Sequence, residues 1–163
     1  MRLAVLAALV FAVGVGGANA GAKVAPCTKA AANAAIRAST LPADVKDLTR
    51  QPLAGVDKLI CHDLTGDRRP DLAVTLASGG TAGDIAWAAF TRAGARWRLV
   101  GANANGYKLG LFRAGRDLLE SQPVYLKKDP NCCPTGGFDH RRFHWDGHAL
   151  AVVRRWHDRQ PIS

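Results

Sequence analysis

Three aspartates in the stretch CHDLTGDRRPDLAV, residues 61–74, are spaced in a way that suits the binding of a hard cation. Counted from Asp63 as position 1, further oxygen ligands fall at positions 3, 5, 7 (a backbone carbonyl) and 9, which are Thr65, Asp67, Arg69 and Asp71. Alternate positions of a tightly wound loop point inward, so these oxygens could surround a calcium ion. The alternative is an Asx-rich turn, in which the aspartates accept backbone N–H bonds and pair with the neighbouring arginines.

The same loop resembles the calcium loop of FG-GAP and VCBS-type repeats, whose pattern is close to D-x-N-G-D-G-x-x-D-L; here the text is D-L-T-G-D-R-R-P-D-L. The resemblance covers residues 61–100. It implies one weak structural calcium site with the ligands Asp63, Thr65, Asp67, Asp71 and the backbone of Arg69. Arg68 stands where the family usually has glycine, and a left-handed turn there costs about 1 kcal/mol. No second D-x-x-G-D follows, so the closed propeller of a repeat protein is not expected.

The histidines are the next candidates for chemistry, because four of the five lie near the C-terminus: His140, His144, His148 and His157. Ligands of one zinc ion need nitrogen atoms within about 4 Å of one another. On a strand that rises about 3.3 Å per residue, His140 and His144 share a face but lie roughly 13 Å apart, and His148 points to the opposite face. We therefore expect solvated strand histidines that gain charge below about pH 6.5, and no metal site built from them.

Familiar hydrolase motifs are missing from the chain, which has no GxSxG, no HExxH and no SxxK. The single glutamate, Glu120, has no recognisable carboxylate partner for acid–base catalysis. The glycine-rich stretch SGGTAGD, residues 78–84, lacks the Lys-Ser/Thr pair and the following helix of a phosphate loop, so it is read as a strand connection. No catalytic residue and no cofactor other than calcium is predicted.

The N-terminus has the pattern of a secretory signal peptide. One arginine precedes an apolar run over residues 3–15, and Ala-Asn-Ala at 18–20 matches the small-x-small pattern after which signal peptidase cuts. The run is too short to span a bilayer, which takes about 20 helical residues. Cys27 does not follow a lipobox. We therefore predict that residues 21–163 form one secreted or cell-envelope domain, monomeric and without a transmembrane segment.

The chain is strongly basic, with 22 Lys and Arg against 13 Asp and Glu and a formal net charge of +9. Such a balance suits nucleic acid, anionic lipid or an acidic wall polymer. The chain has no block of five like charges, and its aromatics do not alternate with Lys and Arg as a base-stacking surface requires. The expected partner is therefore an anionic envelope component or a protein rather than nucleic acid.

Four cysteines lie in the exported part, Cys27, Cys61, Cys132 and Cys133, and an even number in such a chain predicts disulfides. A bond between the neighbours Cys132 and Cys133 would close a strained eight-membered ring. We therefore expect Cys27 and Cys61 each to bond one member of that pair, in either of the two arrangements. Oxidised cysteines also lack the thiolate that a catalytic cysteine needs.

The elements that position these residues follow from periodicity and turn chemistry. Residues 28–39 are rich in alanine, with Thr28 placed to cap the N-terminus and Pro42 beyond the end, so a helix is predicted. Residues 42–55 read as a loop or one short helical turn. From Val56 onward, short apolar alternations separated by Gly, Pro and Asp predict strands near 56–61, 71–77, 84–91, 96–101, 106–112, 117–126, 138–145 and 148–156.

The last hairpin can be predicted in register. Asp-Gly at 146–147 is the favoured pair of a two-residue type I′ turn, which places 145 opposite 148, 143 opposite 150, 141 opposite 152 and 139 opposite 154. One face then carries the predicted core residues Phe143, Trp145, Leu150 and Val152.

The predicted fold class is α+β: an N-terminal helix packed on a curved, mainly antiparallel sheet of about 6–8 strands, stapled by disulfides. Three features, an acidic G-D-x-x-x-D loop, DPNCCPTGG at 129–137 and FHWDG at 143–147, are similar to small secreted actinobacterial proteins and the LppP/LprE lipoprotein family. That resemblance implies location and fold more than activity. The predicted function is a secreted or envelope-associated, non-catalytic module. The alternatives are a hydrolase of cell-wall polymer that uses the aspartate loop, and a basic adhesion or inhibitor protein.

Overall fold

The computed structural model describes residues 27–162, so the predicted signal peptide lies outside the described residues. Two helices, α1 Lys29–Ala38 and α2 Ala43–Asp47, and a 3-10 turn, Leu48–Arg50, precede eight strands. The strands are β1 Gly55–His62, β2 Asp71–Ala77, β3 Asp84–Ala93, β4 Arg96–Asn103, β5 Gly110–Ala114, β6 Asp117–Pro123, β7 Phe138–Trp145 and β8 Leu150–Asp158. Within this part of the chain, no helix is long and apolar enough to cross a membrane.

The strands form two antiparallel four-stranded sheets, in the orders β1-β2-β3-β4 and β5-β6-β7-β8. The described part of the chain is therefore mostly β, with two short helices. The expectation of an α+β fold with a helix packed on one curved sheet of 6–8 strands is wrong, although the strand positions were close. The break falls between β4 and β5, where residues 104–109 belong to no strand and Lys108 takes a left-handed φ of 50°. Gly106 and Leu109 instead donate single backbone bonds to Ile85 and Asp84 at the start of β3. Short alternating segments predict strands, but they do not say which strands pair.

The first sheet is the middle layer of the structure. On β2, Leu72, Val74 and Leu76 join the core that also contains Ala32, Ala35 and Ile36 of α1. The intervening position Ala73, with Trp87 of β3, packs instead against Leu118, Phe143 and Leu150 of the second sheet. Because successive strand residues point to opposite faces, β2 is buried on both sides, with six consecutive buried residues.

The predicted helix is confirmed. Thr28 has extended backbone angles and its hydroxyl accepts the N–H of Ala31 at 3.1 Å, so it is the N-cap of α1. Gly101 of β4 faces Leu150 of the second sheet. A Cβ at this position would come within 3.0 Å of the Leu150 side chain, so only glycine allows this contact without movement.

The cysteine pairing differs from the expectation. Cys27 is bonded to Cys61, and Cys132 is bonded to its own neighbour Cys133. The cross-linked arrangement was wrong because the helix start and β1 lie side by side, which brings the Cys27 and Cys61 Cα atoms to 6.1 Å. This first disulfide joins the beginning of α1 to the first sheet, whereas the second links no separate elements.

The register of the last hairpin also differs. Trp145 pairs with Leu150, not His148, because the connection is a four-residue turn in which Asp146 Oδ1 accepts the N–H groups of His148 and Ala149 at 2.8 and 2.9 Å. A register shift between Arg142 and Phe143 then places Asp139 opposite His157 instead of Arg154. The apolar face was predicted correctly, since Phe143 and Leu150 are buried and Trp145 and Val152 pack against the same core.

Candidate functional site

The aspartate loop, residues 63–71, is held together by its own side chains. Asp63 accepts the N–H of Gly66 at 2.5 Å and that of Arg68 at 3.1 Å, through its two carboxylate oxygens. Asp67 accepts the N–H of Arg69 at 2.8 Å. Arg68 adopts a left-handed φ of 65°, in the position where the resembled family has glycine. These bonds are the ones that the Asx-turn alternative predicts.

Asp71 is the buried anchor of this loop. It is fully buried, and its Oδ2 accepts the N–H groups of Leu64 and Thr65, both at 2.8 Å. Leu64 is itself buried, so the loop closes over Asp71 at the start of β2. The carboxylate thus satisfies one buried backbone donor, that of Leu64, and one half-buried donor, that of Thr65.

The loop was predicted to supply the oxygen ligands of one calcium ion. Among residues 27–162, no three His, Cys, Asp or Glu side chains are placed to hold a metal ion. The buried Oδ1 of Asp71 and hydroxyl oxygen of Thr65 have no hydrogen-bond partner, but the carboxylates of Asp63 and Asp67 are directed to backbone N–H groups. Calcium binding stays a prediction of the resemblance, and no step below depends on it.

Replacing Asp71 tests which role this loop has. We expect Asp71→Ala to lower the free energy of unfolding by about 1–3 kcal/mol, because the buried N–H of Leu64 and the half-buried N–H of Thr65 lose their acceptor. The loss should be the same in millimolar calcium and in chelator, as measured by urea denaturation. Asp67→Ala is the matched control, since Asp67 is exposed and accepts a single N–H. A loss that appears only in calcium would favour the metal site instead.

The histidines fall into two groups. His144 Nδ1 lies 2.6 Å from Asp117 Oδ1 and His157 Nδ1 lies 2.8 Å from Asp139 Oδ1, and both rings are about half exposed. His140, in contrast, is only 1% exposed, so the expectation of a solvated histidine is wrong for it. Its ring lies between those of Phe138 and Trp156, with centroids 6.3 and 4.9 Å away.

No residue that the structure describes forms a hydrogen bond with either ring nitrogen of His140. Asp158 Oδ1 lies 3.4 Å from Nε2, close enough for an ion pair but poorly aligned for a hydrogen bond. The N–H of Gln160, which Asp158 accepts at 2.8 Å, holds the pKa of the Asp158 carboxyl below its ordinary value. His140 and Asp158 lie near the start of β7 and at the end of β8, respectively.

A cleft of about 600 Å³ lies along β6, β7 and β8. Its polar lining includes Glu120, Gln122, Asp139, Arg141 and Arg155. Pro123, Val124 and Trp156 add apolar surface. The volume is in the range of small-molecule sites, which combine apolar walls with a few convergent polar groups.

Strand register explains how these polar residues meet. Glu120 pairs with Arg141, and Arg141 pairs with Arg155, so the three lie in one row across β6, β7 and β8. Gln122 and Asp139 form part of the next row, two residues further along each strand. Since residues two apart on a strand share a face, both rows lie on the same side of the second sheet.

Glu120 is the buried centre of the cleft. Its Oε2 accepts Trp87 Nε1 at 2.5 Å and Asn103 Nδ2 at 3.1 Å, so two donors come from the first sheet. Its Oε1 accepts Gln122 Nε2 at 2.6 Å and the Nε and Nη2 groups of Arg141, the former at 2.9 Å. Five donors thus share the two oxygens of this carboxylate, which holds Arg141 in place and joins the two sheets. No lone pair is left to accept a proton from a substrate.

The two arginines of the row have different surroundings. Arg141 is bound to Glu120 and its side chain is 29% exposed, whereas Arg155 is exposed and has no ion pair with any residue in 27–162. Like charges directly opposite each other on a sheet are destabilising. The arrangement therefore leaves one guanidinium uncompensated at the cleft, where it can bind an anion by paired N–H bonds.

Sequence reasoning did not find this cleft. In the sequence Glu120 is an isolated carboxylate, because Trp87, Asn103 and Arg141 lie 17 to 33 residues away. Its remaining partner, Gln122, is two residues away. One signal was present: a glutamate within the apolar strand LLESQ must be paired if that strand is buried. The pairing itself required knowledge of the sheet order.

No protein-family model matches the chain, and searches of curated proteins and of solved structures found no significant match. The resemblances to FG-GAP and VCBS-type loops and to the LppP/LprE family therefore remain predictions from the sequence.

Proposed function

We propose that this chain is a non-catalytic binding module of the cell exterior or envelope, and that the cleft along β6–β8 binds a carboxylate or phosphate group of a small anionic envelope component. The observation that carries the proposal is the row Glu120–Arg141–Arg155, in which one arginine is neutralised and the next is not.

The chemistry of the cleft supports binding more than catalysis. A general acid or base needs a carboxyl that can exchange a proton with the substrate. Glu120 is instead saturated with donors, and Asp139, the other carboxylate of the lining, lies 2.8 Å from His157 Nδ1. Both carboxylates therefore have structural partners, while the groups that remain available are guanidinium N–H donors.

The fit of the cleft supports a small ligand. About 600 Å³ accommodates a molecule of drug-like size, and Trp156 with Pro123 and Val124 offers apolar contact beside the arginines. The net charge of +9 raises the local concentration of anions around the whole protein. The signal-peptide pattern and the paired cysteines support an extracellular or envelope location.

Calorimetric titration with citrate and with glycerol phosphate tests the proposal, as carboxylate and phosphate probes. We expect saturable one-to-one binding to wild type. Arg155→Gln should weaken it at least about tenfold, because a charge-assisted hydrogen-bonded contact contributes roughly 1.5–3 kcal/mol.

Arg96→Gln is the matched control, since Arg96 is exposed at the far end of the first sheet and its loss changes the net charge by the same amount. We expect this variant to keep its affinity. Equal weakening by both variants would reduce the effect to general charge attraction and contradict the proposal. The absence of saturable binding of either probe would contradict it as well.

A further inference from the structure

The Cys132–Cys133 disulfide lies in the connection between β6 and β7, residues 124–137, called here the cysteine loop. Both cysteines are exposed. The neck of the loop is closed by backbone bonds, from Val124 N–H to the Gly137 carbonyl at 2.9 Å and from Gly136 N–H to the Val124 carbonyl at 3.0 Å. The disulfide is therefore presented to solvent at the tip of a closed loop.

The cysteine loop is held by contacts that do not involve the disulfide. Asp129 accepts the N–H groups of Leu126 and Thr135, both at 2.7 Å, and the Thr135 hydroxyl at 2.6 Å. These bonds hold the pKa of the Asp129 carboxyl below its ordinary value, and the bond from the Thr135 hydroxyl has the largest effect. Charge-assisted bonds of this kind keep the two sides of the loop together whether or not the cysteines are bonded.

Asn131, the residue before Cys132, is attached to the body of the protein. Tyr125 donates its hydroxyl to the Asn131 carbonyl at 2.9 Å, the Lys108 ammonium donates to the same oxygen, and the Tyr107 hydroxyl contacts the Asn131 side chain. The carbonyl that Lys108 contacts is covalently bonded to the nitrogen of Cys132. A nearby ammonium favours the thiolate form of a cysteine, and a better-stabilised thiolate leaves a disulfide faster.

The two disulfides of the chain are linked to the fold in different ways. Cys27 is half-buried against the core that contains α1, Cys61 is exposed, and their bond joins positions 34 residues apart. The folded structure holds those two sulfurs together, so reduction of that bond works against the fold. Cys132 and Cys133 are adjacent, so opening their bond separates no elements and exposes no core.

We propose that Cys132–Cys133 is a thiol–disulfide exchange site that accepts two electrons from an external dithiol. A thiolate of the dithiol attacks one cysteine sulfur, the Cys132–Cys133 bond breaks, and the other cysteine leaves as a thiolate. The second thiol of the reagent then attacks the mixed disulfide. The reagent ends as a disulfide, its two protons end on Cys132 and Cys133, and Cys27–Cys61 is unchanged.

Alkylation under native conditions tests this proposal. Oxidised protein is treated with low-millimolar dithiothreitol, quenched with iodoacetamide at intervals and mapped by mass spectrometry. We expect the Cys132-Cys133 peptide to be labelled at least about tenfold faster than Cys27 and Cys61, because the Lys108 ammonium stabilises the leaving thiolate while the fold holds Cys27 and Cys61 together. Protein sampled at the end of this fast phase should have the same melting temperature as the fully oxidised protein.

The double variant Cys132→Ser/Cys133→Ser is the control. It should fold, lose the fast labelling phase and keep the slow phase of Cys27 and Cys61. Equal labelling rates for both disulfides, faster labelling of Cys27 and Cys61, or no reduction before unfolding would each overturn the proposal.

Discussion

Glu120→Ala should lower the free energy of unfolding by about 3–5 kcal/mol, the cost of removing one partner of a buried charge pair. Glu120 is fully buried and receives donors from both sheets, namely Trp87 and Asn103 on one side and Gln122 and Arg141 on the other. Its removal leaves the buried Trp87 indole N–H and the half-buried Arg141 guanidinium without their acceptor. Chemical denaturation followed by circular dichroism measures the loss.

Two controls separate this effect from a general sensitivity to mutation. Asp47→Ala removes the exposed ion pair with Arg50, whose side chains are 53% and 67% exposed, and should change stability little. Glu120→Met/Arg141→Met removes both charges and should recover part of the loss, because no charge remains unpaired although the Trp87 indole N–H still lacks an acceptor. A single-variant loss no larger than that of Asp47→Ala would contradict the role of Glu120 as the junction between the sheets.

Removal of the Cys27–Cys61 disulfide should have the second large effect. We expect Cys27→Ser/Cys61→Ser to lower the free energy of unfolding by about 2–4 kcal/mol, since a cross-link over some tens of residues restricts the unfolded chain. The bond spans a sequence separation of 34 and attaches the start of α1 to β1. Urea denaturation of the oxidised proteins measures the difference.

The other disulfide provides the matched comparison. Cys132→Ser/Cys133→Ser removes the same atoms but opens no long loop, because those cysteines are adjacent in sequence. Its stability should be close to that of wild type. Comparable losses in the two double variants would show that the cysteines pair across the chain, as the sequence had suggested, and would contradict the pairing described above.

Local features of the fold were readable from the sequence because local physics determines them. Alanine content and a threonine cap define α1, and short apolar alternations locate the strands within a few residues. The Asx-turn alternative for the aspartate loop was also available from spacing alone. Long-range pairing was not, since alternation does not tell whether β4 pairs with β5.

The candidate site depends on that long-range pairing. Arg141 lies opposite Arg155 because of the four-residue turn at Asp146 and the register shift between Arg142 and Phe143. Neither feature could be predicted from the sequence. A two-residue turn would have placed other residues beside Arg141. His140 shows the same limit: its sequence neighbours are charged and aromatic, and only the pairing with Trp156 explains its burial.

Chemical-shift mapping with citrate on the isotope-labelled protein shows where an anion binds. With an anion site centred on Arg155 in the cleft along β6–β8, we expect the shifts to concentrate on the Arg155 side-chain N–H, the Trp156 indole N–H and the backbone amides of β6–β8. This location of the site also predicts that Arg155→Gln abolishes the shifts. Shifts spread evenly over exposed arginines such as Arg96 and Arg113, or shifts that persist in Arg155→Gln, would contradict it.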